Sequence, residues 1–157
     1  MAAKKPKGGK ASSLIPAKEV RAYVRAKAAI IAPADVEALV ARRPEIRQRA
    51  AEAGEHPRLQ RQVDLAISIL GDHVSGESPQ IPYFTISLLA VALFYFLDRA
   101  DAIPDWIPRL GTSDDALVIE LAFEMGAAGI HRYCDWKGLS TDGILPELRP
   151  APRGRRK

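Results

Sequence analysis

Apolar residues recur at helical spacing along most of this chain, and no stretch alternates apolar and polar residues as a half-buried β-strand does. Pro44 and Pro57 fit the first turns of helices, where their missing N–H groups do no harm. Gly54 and Gly76 fit helix ends. The pattern therefore predicts an all-α fold, whose first four helices cover about residues 16–31, a short stretch around Val36–Val40, Glu45–Ala53 and Pro57–Val74.

The most apolar run, residues 81–97, contains no charged side chain. A helix that is apolar on all sides lies either at the centre of a protein or in a membrane. At 1.5 Å per residue this run reaches about 25 Å, less than a hydrocarbon core of about 30 Å. We expect a core helix, with a membrane-inserted hairpin as the alternative. A second helix over about 114–133 would complete an antiparallel helix–loop–helix hairpin (about 81–98 and 114–133), the predicted centre of a small helical domain.

Charge divides the chain into a body and two basic tails. Residues 1–10 carry four lysines and no acid, while residues 149–157 carry four arginines, one lysine and no acid. The net charge of +4 therefore becomes −5 for residues 11–148. Tails of this composition are expected to be disordered. The predicted organisation is a basic tail over 1–15, an N-terminal extension of amphipathic helices over 16–62, a central domain over 63–138, and a C-terminal loop and basic tail over 139–157.

Aspartates cluster directly after the apolar run, in the sequence YFLDRADAIPDWIPRLGTSDD of residues 95–115. Magnesium and calcium are held by carboxylate oxygens, so four of these aspartates are candidate metal ligands. The alternative is structural, because aspartates are favoured at helix N-termini and in proline-containing turns. We favour the structural interpretation and keep a magnesium or calcium site as a hypothesis for Asp101, Asp105, Asp114 and Asp115.

The segment from about residue 63 to 137 resembles the YkvA family, a domain of unknown function called DUF1232. The resemblance is carried by DHVSGESPQIPYFT (72–85), ALFYFLDRADAIPDWIPRLGTSDDALV (92–118) and RYCDW (132–136). Arg99 stands where the family usually has a proline. The resemblance implies a small bacterial protein, membrane-associated and without an assigned activity. The positions that match the family's structural motif include Tyr95, Pro104, Pro108 and Gly111.

Candidate chemistry outside this segment is sparse. Cys134 is the single cysteine, so the chain has no internal disulfide, and no nucleophile elbow, P-loop or Rossmann glycine pattern occurs. The N-terminus lacks the apolar segment of a secretory signal, so we expect a membrane-associated or cytoplasmic protein that is not secreted. The basic tails suit an anionic membrane surface. They suit nucleic acid less well, because no aromatic side chains are interleaved with them.

These observations favour a non-catalytic module that associates with a membrane or with a protein partner. Two alternatives stay open at this point. The first is a cation-binding protein or cation-dependent enzyme that uses the aspartate cluster. The second is a nucleic-acid-associated protein that binds phosphates through its basic tails.

Overall fold

The computed structural model of the chain describes residues 17–52, 56–97 and 112–145, without the side chains of Ala17 and residues 112–116. Within these ranges the chain forms helices and no strand, so the predicted all-α class is confirmed. In chain order the helices are α1 (Ala17–Ala28), α2 (Pro33–Ala41), α3 (Arg43–Glu52), α4 (Pro57–Ser75), α5 (Tyr83–Leu97), α6 (Thr112–Met125) and α7 (Ala127–Lys137).

Proline and glycine set several helix boundaries where the sequence predicted them. Pro44 and Pro57 lie in the first turns of α3 and α4, as predicted, and Pro33 opens α2 in the same way. Asp35 adds a cap to α2, because its Oδ2 atom accepts a hydrogen bond of 2.8 Å from the backbone N–H of Ala32. Gly76 ends α4 with a φ of 83°, a left-handed conformation that costs glycine little because it has no Cβ.

Helix α5 is the central element of the bundle, since it contacts each of the other described helices. This arrangement explains why its sequence is apolar on every face: no side of it meets water along most of its length. Buried side chains include Leu88, Leu89 and Phe96. Within the described ranges, every helix falls short of the length and apolar character that crossing a bilayer requires.

The end of α6 meets the beginning of α5, so the predicted antiparallel hairpin is present. A Cβ atom on Gly126 would lie 3.2 Å from Thr85 Cγ2 and 3.6 Å from Leu88 Cδ1. The second arm differs from the expected single helix over 114–133, because it divides at Gly126 into α6 and α7. Helix α7 then crosses the start of α5 and reaches α4, to which Tyr133 is hydrogen-bonded.

The three N-terminal helices share the hydrophobic core of α4–α7. Val24 of α1, Val36 of α2 and Ile46 of α3 are each at most 1% exposed and belong to the same cluster of buried side chains as Leu88. Removing these helices would expose several faces of α5 to water.

Candidate functional site

The structure describes only part of the aspartate cluster. Asp101 and Asp105 lie outside the described residues, as do the motif positions Pro104, Pro108 and Gly111. The backbone of Asp114 and Asp115 is in the first turn of α6, the position expected for helix-capping acids, and their side chains are not described. A cation at these four aspartates therefore stays a prediction. Within residues 17–52, 56–97 and 112–145, no group of three or more acidic, histidine or cysteine side chains could hold a metal ion.

Tyr95 is the one member of the structural motif whose side chain is described. It lies near the end of α5 and is only 4% exposed, within the hydrophobic core. A tyrosine in this position buries a large ring while keeping a polar hydroxyl at one end. Its burial is consistent with the structural role that the resemblance suggests.

A polar cluster connects α4 to α7 at one end of the bundle. The Tyr133 hydroxyl donates to Asp72 Oδ2 over 2.5 Å and lies 2.7 Å from the Ser68 hydroxyl oxygen. Lys137 Nζ donates to Asp72 Oδ2 over 2.7 Å and to the Tyr133 oxygen over 3.1 Å. We call these four residues, Ser68, Asp72, Tyr133 and Lys137, the Asp72 cluster. It brings together Asp72 and Tyr133, which belong to separate pieces of the sequence that resembles the YkvA family.

The electrostatics of the Asp72 cluster favour fixed charges over proton transfer. Burial alone would raise the pKa of Asp72, but hydrogen bonds from Lys137 and Tyr133 and the positive charge of Lys137 outweigh burial and lower that pKa. Hydrogen bonds to Asp72 and Tyr133 raise the pKa of Lys137. Burial and the contact with Asp72 raise the pKa of Tyr133. At neutral pH Lys137 is therefore a cation held by a carboxylate, and a poor base for activating Ser68.

Two glutamates of α6 face arginines from other helices. Glu120 accepts hydrogen bonds from Arg58 Nη2 at 2.8 Å and from Gln62 Nε2 at 3.2 Å. Glu124 pairs with Arg21 of α1 at 2.7 Å. Burial would raise the pKa of Glu120, but the bonds from Arg58 and Gln62 lower it overall. These pairs show how α6 packs against α1 and α4 while carrying acidic side chains, and they are structural contacts.

Large apolar side chains are exposed around the corner where α4, α5 and α7 meet. Three contacts bring these elements together: Lys137 to Asp72, Arg132 Nη1 to the carbonyl of Gln80 in the α4–α5 connection at 2.9 Å, and the tilted His73 and Tyr83 rings, whose centroids are 6.1 Å apart. We call the exposed apolar side chains at this corner the apolar end; they are Val74 (41% exposed), Tyr83 (39%), Phe84 (44%), Trp136 (49%) and Leu139 (43%).

Sequence reasoning missed both the Asp72 cluster and the apolar end. The spacing of Tyr133 and Lys137, four residues apart, places them on one face of a helix and is a usable signal. Their partner Asp72 is 61 residues from Tyr133, a separation that local patterns do not bridge. The apolar end combines exposed residues from the end of α4, the start of α5 and the end of α7 with the residues after it, and none of these residues stands out in its own segment.

Comparison with known proteins agrees with the resemblance in the sequence. The model of a family described as "Protein of unknown function (DUF1232)" matches residues 85–121. A Bacillus subtilis (strain 168) protein described as "Uncharacterized membrane protein YkvA" is 33% identical over 69 residues. That match covers 44% of this chain and 65% of the relative's length. No solved structure matches the chain. The predicted resemblance to the YkvA family, DUF1232, is thus confirmed, and it is centred on the α5–α6 hairpin.

Proposed function

We propose that this protein is a non-catalytic module that associates with the surface of a membrane, with the apolar end as its contact surface. The observation that carries the proposal is the exposure of five large apolar side chains on the segments that meet at one corner of the bundle, namely Val74, Tyr83, Phe84, Trp136 and Leu139. Scattered exposed apolar residues are ordinary, whereas a group of them with aromatic members is typical of an interaction site.

The chemistry of the apolar end suits a bilayer interface. Trp136 and Tyr83 each combine an apolar ring with a polar atom, and such side chains are enriched at the level of lipid headgroups. Trp136 also packs against Tyr133, with ring centroids 5.7 Å apart, so its position is supported from within the protein. A rigidly held aromatic side chain loses little conformational entropy when it inserts.

The basic tails supply a second, electrostatic attraction. Basic residues close to an anionic membrane surface contribute about 1 kcal/mol each, and salt screens this contribution.

The relative's description as a membrane protein supports the same proposal. The Asp72 cluster supports the non-catalytic part, because its charges are fixed by mutual hydrogen bonds that join α4 to α7. A protein partner with an apolar surface would use the same five side chains. Vesicle binding distinguishes such a protein partner from a membrane surface.

Co-sedimentation with lipid vesicles tests the proposal. Vesicles of phosphatidylcholine alone and of phosphatidylcholine with phosphatidylglycerol are compared at low and high salt. The Trp106→Phe variant leaves Trp136 as the one remaining tryptophan of the chain's two, so its emission reports insertion directly. We expect binding to the anionic vesicles, with a blue shift of Trp136 emission as the indole leaves water.

The double variant Phe84→Ser/Trp136→Ser should weaken vesicle binding about tenfold or more, since two aromatic side chains lose their burial in the interface. Ala38→Ser/Ala51→Ser, at exposed positions of α2 and α3, is the matched control and should bind as the unaltered protein does. Binding that persists in Phe84→Ser/Trp136→Ser but disappears when residues 1–10 and 149–157 are deleted would assign attachment to the tails alone. No binding to either vesicle would leave a protein partner as the occupant.

A further inference from the structure

A cavity opens between the C-terminal end of α1, the α1–α2 connection and α5. Its volume is about 260 Å³. An apolar cavity of roughly 150 Å³ is large enough to admit benzene, so this one has room for a larger apolar group. Most of its lining is apolar and comes from Tyr23, Ile30, Ile31, Val91 and Phe94.

Two charged side chains complete the lining, and only one of them is available to a ligand. Lys27 has its ammonium 5.8 Å from the centre of the Tyr23 ring and forms no ion pair with a described carboxylate. Asp35 already caps α2, where its Oδ2 atom accepts the Ala32 N–H and the positive end of the helix dipole offsets its charge. The cavity therefore presents an apolar interior with one free cation among its described lining residues.

The cavity adjoins the apolar end. The Tyr83 hydroxyl donates to the Ile31 carbonyl over 3.1 Å, so a member of the apolar end contacts the segment that forms the cavity wall. Ile30, on the same segment, is 70% exposed and lies at the opening. Tyr83 thus connects the apolar end to the cavity wall.

We infer that this cavity binds the alkyl chain of a single-chain amphiphile whose anionic headgroup pairs with Lys27. The apolar lining accommodates the chain, and an ammonium at the rim attracts a carboxylate or phosphate. This site differs from the apolar end, where intact bilayer lipids would contact the outside of the protein. The same chemistry is offered by a free fatty acid and by a lysophospholipid.

Isothermal titration with monomeric ligands, below their micelle-forming concentrations and without vesicles, tests this site. The ligands are laurate, lauroyl-lysophosphatidylglycerol and uncharged dodecanol. We expect saturable one-to-one binding of at least one anionic ligand, and weaker binding of dodecanol. Tighter binding of laurate would identify a free fatty acid as the ligand class, and tighter binding of the lysophospholipid would identify a lipid headgroup. No membrane is present in this titration, so its result is independent of the vesicle experiment. An absence of ligand binding would leave the proposed membrane contact standing, and an absence of vesicle binding would leave the cavity site standing.

Charge variants on α1 provide a matched pair. Lys27→Glu should weaken binding of the anionic ligand about tenfold, because an attraction becomes a repulsion. Lys18→Glu changes the net charge of the same helix by the same amount at an exposed position outside the cavity, and it should leave the affinity unchanged. Equal losses in the two variants would show a general charge effect and overturn the role of Lys27.

Filling the cavity should remove binding altogether. Val91→Phe places a ring in the space that the alkyl chain would occupy, and circular dichroism verifies that the helices remain. Ile30→Glu is a second variant that spares the core, since Ile30 is mostly exposed, and it puts a carboxylate at the opening. Binding that survives both changes, binding of dodecanol as tight as that of laurate, or no binding of any ligand would each overturn the inference.

Discussion

At the scale of single residues, the Tyr133 hydroxyl joins the other three members of the Asp72 cluster. The tyrosine side chain is fully buried, yet its hydroxyl contacts Asp72, Ser68 and Lys137. A buried polar group destabilises a protein unless it is hydrogen-bonded. The polar groups around the Tyr133 hydroxyl therefore need it as a hydrogen-bond partner. We regard Tyr133 as the residue that holds α7 against α4.

Tyr133→Phe should therefore lower the free energy of unfolding by about 1–3 kcal/mol, because the Asp72 carboxylate and the Ser68 hydroxyl each lose a partner while the ring stays packed. Urea denaturation measures the change. Tyr83→Phe is the control: its hydroxyl donates to Ile31 at an exposed position where water replaces the bond, so the loss should stay below about 1 kcal/mol. Equal losses in the two variants would contradict a special role for Tyr133.

The carboxyl groups of Asp72 and Glu120 should make the stability of the protein depend on pH on the acid side. Both have lowered pKa values in the folded chain, from ordinary values of 3.8 and 4.5. The stability they contribute is therefore fully present above those ordinary values, and it is lost as pH falls through the lower folded-state values. Unfolding midpoints measured from neutral pH down to about pH 3 should show this loss.

The variant Asp72→Asn/Glu120→Gln separates these two groups from the other acids. It should be less stable than the unaltered protein at neutral pH, and the difference between the two should narrow as the pH is lowered. A difference that stays constant down to acid pH would mean that the two carboxyl groups do not carry the pH dependence.

At the scale of helices, Gly129 sets how closely α7 approaches α5. A Cβ atom at this position would lie 2.5 Å from Thr85 Oγ1 and 2.9 Å from Ile81 Cγ2, closer than side chains tolerate. Gly129→Ala should thus move α7 away from α5 and destabilise the protein by about 1–3 kcal/mol. Thermal or urea unfolding measures the effect.

Gly71→Ala is the matched control, because Gly71 is also inside a helix but has room for a methyl group. The nearest atom to its Cβ would be Arg43 Nη1 at 3.4 Å, the end of a flexible side chain. Alanine in a helix is favoured over glycine by about 0.5–1 kcal/mol, so this variant should be neutral or stabilising. If both alanine variants were destabilised, crowding at Thr85 would not explain the stability loss of Gly129→Ala.

The helices themselves were largely predictable, whereas their mutual contacts were not. Pro57 and Gly76 mark the start and the end of α4, and their backbone preferences can be read directly from the sequence. The break at Gly126, which lies against Thr85 and Leu88 of α5, was not foreseen. The Asp72 cluster was missed because its members lie on two helices that are far apart in sequence. Asp101 and Asp105 lie outside the described residues, so their predicted roles stay predictions.

At the scale of the whole molecule, the question is whether residues 16–62 form a separable extension or part of one folding unit. Val24 of α1 and Val63 of α4 are both 0% exposed and belong to one hydrophobic core. Small domains with a single core generally unfold in one cooperative step. We therefore expect α1 to α7 to unfold together, and a fragment of residues 57–145 to lack a cooperative transition.

Two valine substitutions make this expectation measurable. In a Trp106→Phe background, the emission of Trp136 reports the unfolding of α7, far from Val24 in sequence. Val24→Ala and Val63→Ala should each destabilise by about 2 kcal/mol, since both remove buried methyl groups from the same core. Both should shift the Trp136 transition to lower urea by similar amounts without changing its slope. If Val24→Ala leaves that transition in place while Val63→Ala shifts it, the N-terminal helices are an independent extension, and the family segment folds without them.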